Sequence, residues 1–208
     1  MFLDPEKTPN FKRTLFNAIV APRPIGWIST INGQGQVNLA PFSHFNLVST
    51  APPVVMFSCN EPADRREKDT VTNVRETGEF VTNLVTWNLR DQMNITSLNA
   101  PYGTDEFALA GLEKAPSIMV LPPRVAASPA SMECRLLRIV DIAPRGPGDT
   151  RSSVVFGHVV GLHLDDAFVE ASGRFDVART MPLTRLGGNQ YASVGPLVEL
   201  PRPSARRD

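Results

Sequence analysis

Apolar and polar residues alternate along much of this chain with the period of β-strands, and turns break the pattern at short intervals. Ile25–Ile31 and Gln36–Phe42 read as two strands around Asn32-Gly-Gln-Gly35, whose Asn-Gly pair readily takes the positive φ of a tight hairpin. Pro53–Ser58 is a short unbroken apolar run and fits a strand covered on both faces. Glu79–Leu84 alternates, with Phe80, Thr82 and Leu84 on one side and Val81 and Asn83 on the other. Ser131–Ile142 alternates through Met132, Cys134 and Leu136, then changes phase at Leu137 and Ile139, which predicts a bulge or bend. Ser153–Leu164 is the longest strand expected, with Gly157 and Gly161 on one face as openings for a close approach.

Helical signals are fewer. Thr70–Thr77 runs into Gly78, a normal helix stop, with Asp69 at the cap position. Trp87–Leu98 puts Leu89, Met93 and Leu98 near one stripe behind Thr86 as a cap, and a short helix is expected over Phe11–Ile19. Strands in excess, without regular strand–helix alternation, predict a mainly β fold: a closed or partly closed antiparallel barrel with helices outside. The Pro-rich stretches 116–129 and 144–148 read as loops between strands, so residues 1–208 are expected to form one domain, with a core of about 15–195 and a tail from about 196.

Composition narrows the function classes. Hydrophobic residues are 42% and charged residues 20%, as in a folded globular chain. The 21 basic and 21 acidic side chains cancel, so no net field draws the chain to nucleic acid or to an anionic membrane. The basic end from Arg202 to Asp208 reads as a loose tail. Cys59 and Cys134 stand far apart with no CxxC, which suits a reducing compartment. With no basic-then-apolar leader and no apolar run near roughly 18 residues, a soluble cytoplasmic protein is expected.

Several constellations are absent: GxGxxG, a Walker loop, HExxH and a GxSxG elbow. His158 and His163 are expected on opposite faces of one strand, so no metal site is expected. Lys68-Asp-Thr70 opening a helix offers a phosphate unpaired N–H groups, the positive dipole end and a full charge, with hydroxyls of Ser29, Thr30 and Ser58 on neighbouring strand ends. The same tripeptide also reads as a solvent-facing lysine beside a capping aspartate. In Asn38-Leu-Ala-Pro-Phe-Ser43, Pro41 cannot donate to a ladder, so the chain leaves the sheet or runs along its edge. Asn38, Ala40 and Ser43 then offer a flat ring access to backbone, walled by Trp27, Phe42 and Phe45; a Pro-kinked edge with core aromatics accounts equally well for the pattern.

Taken together, Arg23-Pro-Ile-Gly-Trp-Ile-Ser-Thr30, Asn38-Leu-Ala-Pro-Phe-Ser43 with Phe45-Asn46, Pro52-Pro53, Lys68-Asp-Thr70 with Asn73, and Thr77-Gly-Glu-Phe-Val81 with Asn83 resemble the flavin reductase-like family, which includes flavin reductases and flavoredoxin. The resemblance runs from about residue 15 to about 195. It implies an FMN-binding split β-barrel, usually a homodimer with the flavin near the subunit interface. It also implies NADH or NADPH as reductant and, in some members, a flavin-dependent monooxygenase as partner. Residue by residue, it implies Ser29 and Thr30 near the phosphate and ribityl chain, and Asn38, Ala40, Pro41, Phe42, Ser43 and Asn46 near the ring, where Trp27 is expected as a wall. Ser58, Lys68 and Thr70 match its phosphate group. The segment Pro182–Tyr191 also resembles family sequence, which makes Arg185 and Tyr191 candidates for contact with substrate or nicotinamide, while His44 occupies the variable position of the Pro-Phe-Ser-x-Phe-Asn motif and could face a substrate. No protein nucleophile or base is expected, since a flavin carries its own chemistry. An FMN enzyme acting directly on an organic substrate and a flavoredoxin-like electron carrier are the alternatives.

Overall fold

The computed structural model describes residues 1–5, 7–8, 13–62, 67–146 and 149–203. Of the expected first helix, Arg13–Ile19 forms α1, while residues 9–12, like the end of the tail beyond residue 203, lie outside the described residues. Seven strands build the main sheet: β1 (Gly26–Ile31), β2 (Val37–Phe42), β3 (Phe45–Thr50), β4 (Pro53–Asn60), β5 (Glu79–Leu84), β6 (Ala130–Ile142) and β7 (Ser152–Leu164). Their order is β2-β1-β5-β6-β7-β4-β3, antiparallel throughout. The two edges, β2 and β3, are consecutive in the chain and joined only by Ser43 and His44. The sheet must therefore curl until its edges meet, and the result is a split barrel, as expected.

Helix α2 (Asp69–Thr77) plugs the barrel. Its Val71 and Val74 pack with Ile28, Phe42, Val55, Phe57, Phe80, Cys134 and Val155 in one core cluster. A second cluster lies on the other face of β1 and β2, where Trp27 and Leu39 meet Leu89, Met93 and Phe107 from α3 (Arg90–Ile95), α4 (Glu106–Leu109) and the 3-10 turn Trp87–Leu89. β1 is thus buried on both sides, and successive residues serve different cores. No helix among the described residues is long and apolar enough to cross a membrane.

Local chemistry explains several departures from the sequence reading. In the β1–β2 hairpin the positive φ falls on Gly35 (82°), not on the Asn-Gly pair, because the Asn32 carboxamide oxygen accepts from the Gln34 and Gln36 N–H groups and shapes the turn itself. Asp69 is the first residue of α2, not its cap; the cap position belongs to Lys68, which makes no side-chain cap bond. Gly78 ends the helix at φ 72°, as expected, and its N–H donates to Val74 O. The helix expected over Trp87–Leu98 ends at Ile95, and Leu98 is exposed.

The phase change in β6 is a bulge: Phe156 pairs with Arg138 and Gly157 with Leu136, leaving Leu137 unpaired between them. A second register shift falls between Val159 and Gly161 on β7, and it overturns two face assignments. Gly157 faces Phe80 and Cys134 whereas Gly161 faces Glu133, so the glycines do not share a face. His158 and His163, paired with Arg135 and Ser131, do share one.

Candidate functional site

The free edge of β2, the first turn of α2 and the segment Thr96–Ala100 enclose a cavity of about 90 Å³. Six of the residues expected at a flavin, Asn38, Ala40, Pro41, Phe42, Lys68 and Thr70, line it together. Pro41 lies on the strand edge, as its missing donor requires. The buried Asn38 carboxamide donates to Thr70 Oγ1 at 2.9 Å, which leaves the threonine hydroxyl hydrogen available to a ligand. Lys68 Nζ reaches Asn99 Oδ1 at 3.4 Å beside the helix start.

Two carboxylates line the same cavity: Asp69, expected only as a helix cap, and Glu106, which the sequence reading missed. Glu106 is buried, and its Oε2 accepts from the Leu39 N–H at 2.9 Å, sealing a donor that the edge strand would otherwise leave unpaired. Burial, and then the nearby Asp69 and Asp105, push its pKa above the usual carboxylate value despite that bond. The shift favours the neutral form and reduces its repulsion of an anion in the cavity.

The remaining expected residues lie elsewhere. Trp27, Ser29 and Thr30 are fully buried, which corrects their placement against a ligand. The Trp27 Nε1–H donates to Thr96 Oγ1 at 2.8 Å, so this ring supports the cavity wall from behind. Ser29 Oγ donates to Pro123 O, and Thr30 Oγ1 accepts from Asn73 Nδ2 at 3.0 Å. The two side chains point to opposite faces of β1, and both are enclosed by protein, with no exposed surface. Ser58, half-buried, does not share the cavity of Lys68 and Thr70: Cys59 borders a small one with Lys68, and alternation turns Ser58 to the other face of β4. Burial, then Glu67, push the Cys59 thiol up to about 12, so it stays protonated at neutral pH.

Around the β2–β3 junction, Ser43 is half-buried and His44 and Asn46 are exposed. The Ser58 N–H donates to His44 O at 2.8 Å, and Asn46 Oδ1 accepts from the Leu47 N–H. Desolvation, then the charge of Arg23, lower the His44 pKa and hold the ring neutral at physiological pH. Arg23 opens the Arg-Pro-Ile-Gly string but is structural here. Its guanidinium donates to Asn17 O and Val20 O at the end of α1 and to Leu186 O at 2.9 Å, pinning both arms to the barrel.

Arg185 and Tyr191 do come together, on the ladder formed by Thr184–Arg185 and Tyr191–Ala192, where Arg185 Nη1 donates to Tyr191 Oη. They line a different cavity from Lys68 and Thr70. Two buried polar residues were missed as organisers. Asn83 donates to Trp27 O and accepts from the Val125 N–H and the Ser131 hydroxyl, while Glu133 accepts from three backbone N–H groups of Ile118, Met119 and Val120 and meets His163. An isolated polar residue within a strand pattern was the signal for each, and Asn83 also stood among the motif residues.

Residues 20–181 match the flavin reductase like domain. An uncharacterized protein of Aquifex aeolicus is 38% identical over 173 residues, covering 83% of this chain and 85% of its own. Among solved structures, component B of nitrilotriacetate monooxygenase from Bacillus cereus superposes with a TM-score of 0.88 at 29% identity, covering 96% of this chain and 98% of that one. The 2-nitrobenzoate 2-nitroreductase NbaA of Pseudomonas fluorescens superposes with a TM-score of 0.85 at 27% identity, covering 98% and 96% respectively. A barrel split between two edges that are neighbours in sequence, and a family match that spans most of that barrel, place this chain in the flavin reductase-like family.

Proposed function

We propose that this chain is an FMN-binding oxidoreductase that accepts hydride from NADH or NADPH and passes electrons to free flavin, a flavin-dependent monooxygenase or a small acceptor. The observation that carries the reading is the meeting of Lys68, Thr70 and the uncapped start of α2 with Asn38, Ala40 and Pro41 in one cavity. A cation, the positive end of a helix and a threonine hydroxyl suit a phosphate, and the small residues beside them leave the strand edge open to the rest of the cofactor. The flavin, when bound, supplies the hydride and electron chemistry. The chain's residues bind and orient: Lys68 and Thr70 hold the phosphate end, Asn38 fixes Thr70, and Ala40 and Pro41 keep the edge open. The likeness to component B of a monooxygenase supports delivery of electrons to a partner enzyme.

The cavity's 90 Å³ accommodates a phosphate group but not a tricyclic ring, so most of the cofactor would lie beyond it. A homodimer that covers the ring fits this, and the edge strand β3 carries Leu47 and Val48 at 59% and 50% exposure as apolar contact surface. Light scattering on the eluted protein tests the assembly; a monomer at micromolar concentration would remove it.

A second reading, an FMN enzyme acting directly on an organic substrate, is favoured by the likeness to a nitroreductase. Anaerobic mixing separates the two. Rapid bleaching of the flavin by NADH or NADPH, followed by reoxidation with free FMN, supports the reductase; reoxidation only by a nitroaromatic supports the second reading. A preparation that binds no FMN in a titration would sink both.

A further inference from the structure

A second cavity, of about 450 Å³, lies between α3 and the Arg185–Tyr191 ladder and shares no lining residue with the cavity of Lys68 and Thr70. Two arginines dominate it, and each is stacked on an aromatic ring. The Arg90 guanidinium lies 5.0 Å from the Trp87 ring centroid, and that of Arg185 lies 4.5 Å from the Tyr191 centroid. A cation–π contact holds a guanidinium against the ring, and its N–H groups not spent elsewhere can act on oxyanions. Of Arg185's five N–H donors, one goes to Tyr191 Oη and one to Gly188 O, so three have no acceptor among the described residues. Arg90 donates one to Trp87 O at 2.8 Å.

The charge balance favours an anion. Asp91 is the acidic residue of the lining; it sits 3.5 Å from Arg90 with its side chain 79% exposed, where water screens the pair. Two fixed cations against one solvated carboxylate make the cavity locally positive in a chain whose charges otherwise cancel. Trp87, 41% exposed, adds ring surface for the apolar part of a ligand. Both arginines lie over aromatic rings at the border of one groove of ligand size.

We propose that this cavity binds a planar organic anion, an aromatic ring bearing a carboxylate or a phosphate, with the N–H edges of Arg90 and Arg185 taking the oxyanion and Trp87 meeting the ring. The two cavities share no lining residue, and either reading can fail while the other stands.

The chain has two tryptophans, and Trp27 is fully buried, so emission from Trp87 reports on the cavity. Benzoate and 5′-AMP, titrated separately into the purified full-length protein, distinguish an aromatic carboxylate from a nucleotide. Saturable quenching by either probe is expected. It should disappear in Trp87→Phe and weaken about tenfold or more in Arg90→Gln and Arg185→Gln, through loss of a charge-assisted contact. Arg185 also braces the ladder, so Arg90→Gln, whose side chain is 42% exposed, serves as the variant that leaves the fold undisturbed. No quenching by either probe, or quenching of equal strength in Arg90→Gln, would overturn the assignment.

Discussion

The Asn38 carboxamide donates to the Thr70 hydroxyl across 2.9 Å, tying the free edge of the sheet to the first turn of the helix that plugs the barrel. Both side chains are buried, so neither can exchange this partner for water. Thr70→Val keeps the shape and removes the acceptor, leaving the Asn38 N–H unpaired. Urea unfolding should show a loss of about 1–3 kcal/mol, with Thr70→Ser largely restoring it.

Lys68 carries the full positive charge at the proposed phosphate position, and it contributes little to the fold because its described bond is a 3.4 Å contact at the surface. Lys68→Ala should leave thermal stability nearly unchanged and weaken FMN binding by about 1.5–3 kcal/mol. Fluorescence titration of FMN checks this; equal affinity in the variant would take Lys68 out of the site.

Gly157 is glycine because the Phe80 ring occupies the space of its missing side chain. A Cβ there would lie 2.3 Å from Phe80 Cζ and 3.1 Å from Cys134 Cβ. Both neighbours are buried, so no flexible end can yield. Gly157→Ala should destabilise the protein by about 1–3 kcal/mol through overpacking, measured by denaturant unfolding. At Gly161 the nearest atom is an ordinary 3.5 Å away, so Gly161→Ala should be tolerated.

Glu133 sets an acid limit on stability. Burial opposes its charge, but bonds from His163 and from the Ile118 and Met119 N–H groups outweigh burial and hold its pKa below the usual carboxylate value. A carboxyl whose folded pKa is depressed stabilises the native state above its unfolded pKa, about 4.3, and that contribution is lost as pH falls through the folded value. Glu133→Gln should therefore lower the melting temperature at pH 7, and the gap between variant and parent should narrow below about pH 4. A gap that is constant from pH 7 to pH 3 would contradict this account.

How much was legible in advance differs between the fold and the site. The bulge at Leu137 announced itself as a phase change in the alternation, because a one-residue insertion swaps the faces of every later side chain. The register shift next to Val160 left no such mark: both faces of β7 carry mixed residues, so Gly157, Gly161 and the two histidines were assigned to the wrong sides. Lys68, Thr70 and Asn38 were readable as polar residues in places where a helix start and a strand edge give them work. Ser29, Thr30 and Ser58 carry the same hydroxyl chemistry, yet the structure turns them onto Pro123, onto Asn73 and to the far face of β4.

Local spacing and motifs continuous in the chain were enough to read the antiparallel strands, the turn at Asn32–Gly35, the stop at Gly78 and the family. Packing between distant segments chose which hydroxyls turn inward, set Glu106 on the Leu39 N–H and brought Arg90 and Arg185 to one cavity. Those outcomes depend on pairs distant in the chain, Asn38 with Thr70 at a separation of 32 and Leu39 with Glu106 at 67. The curl of the sheet brings such pairs together, and no periodicity within a single element encodes it.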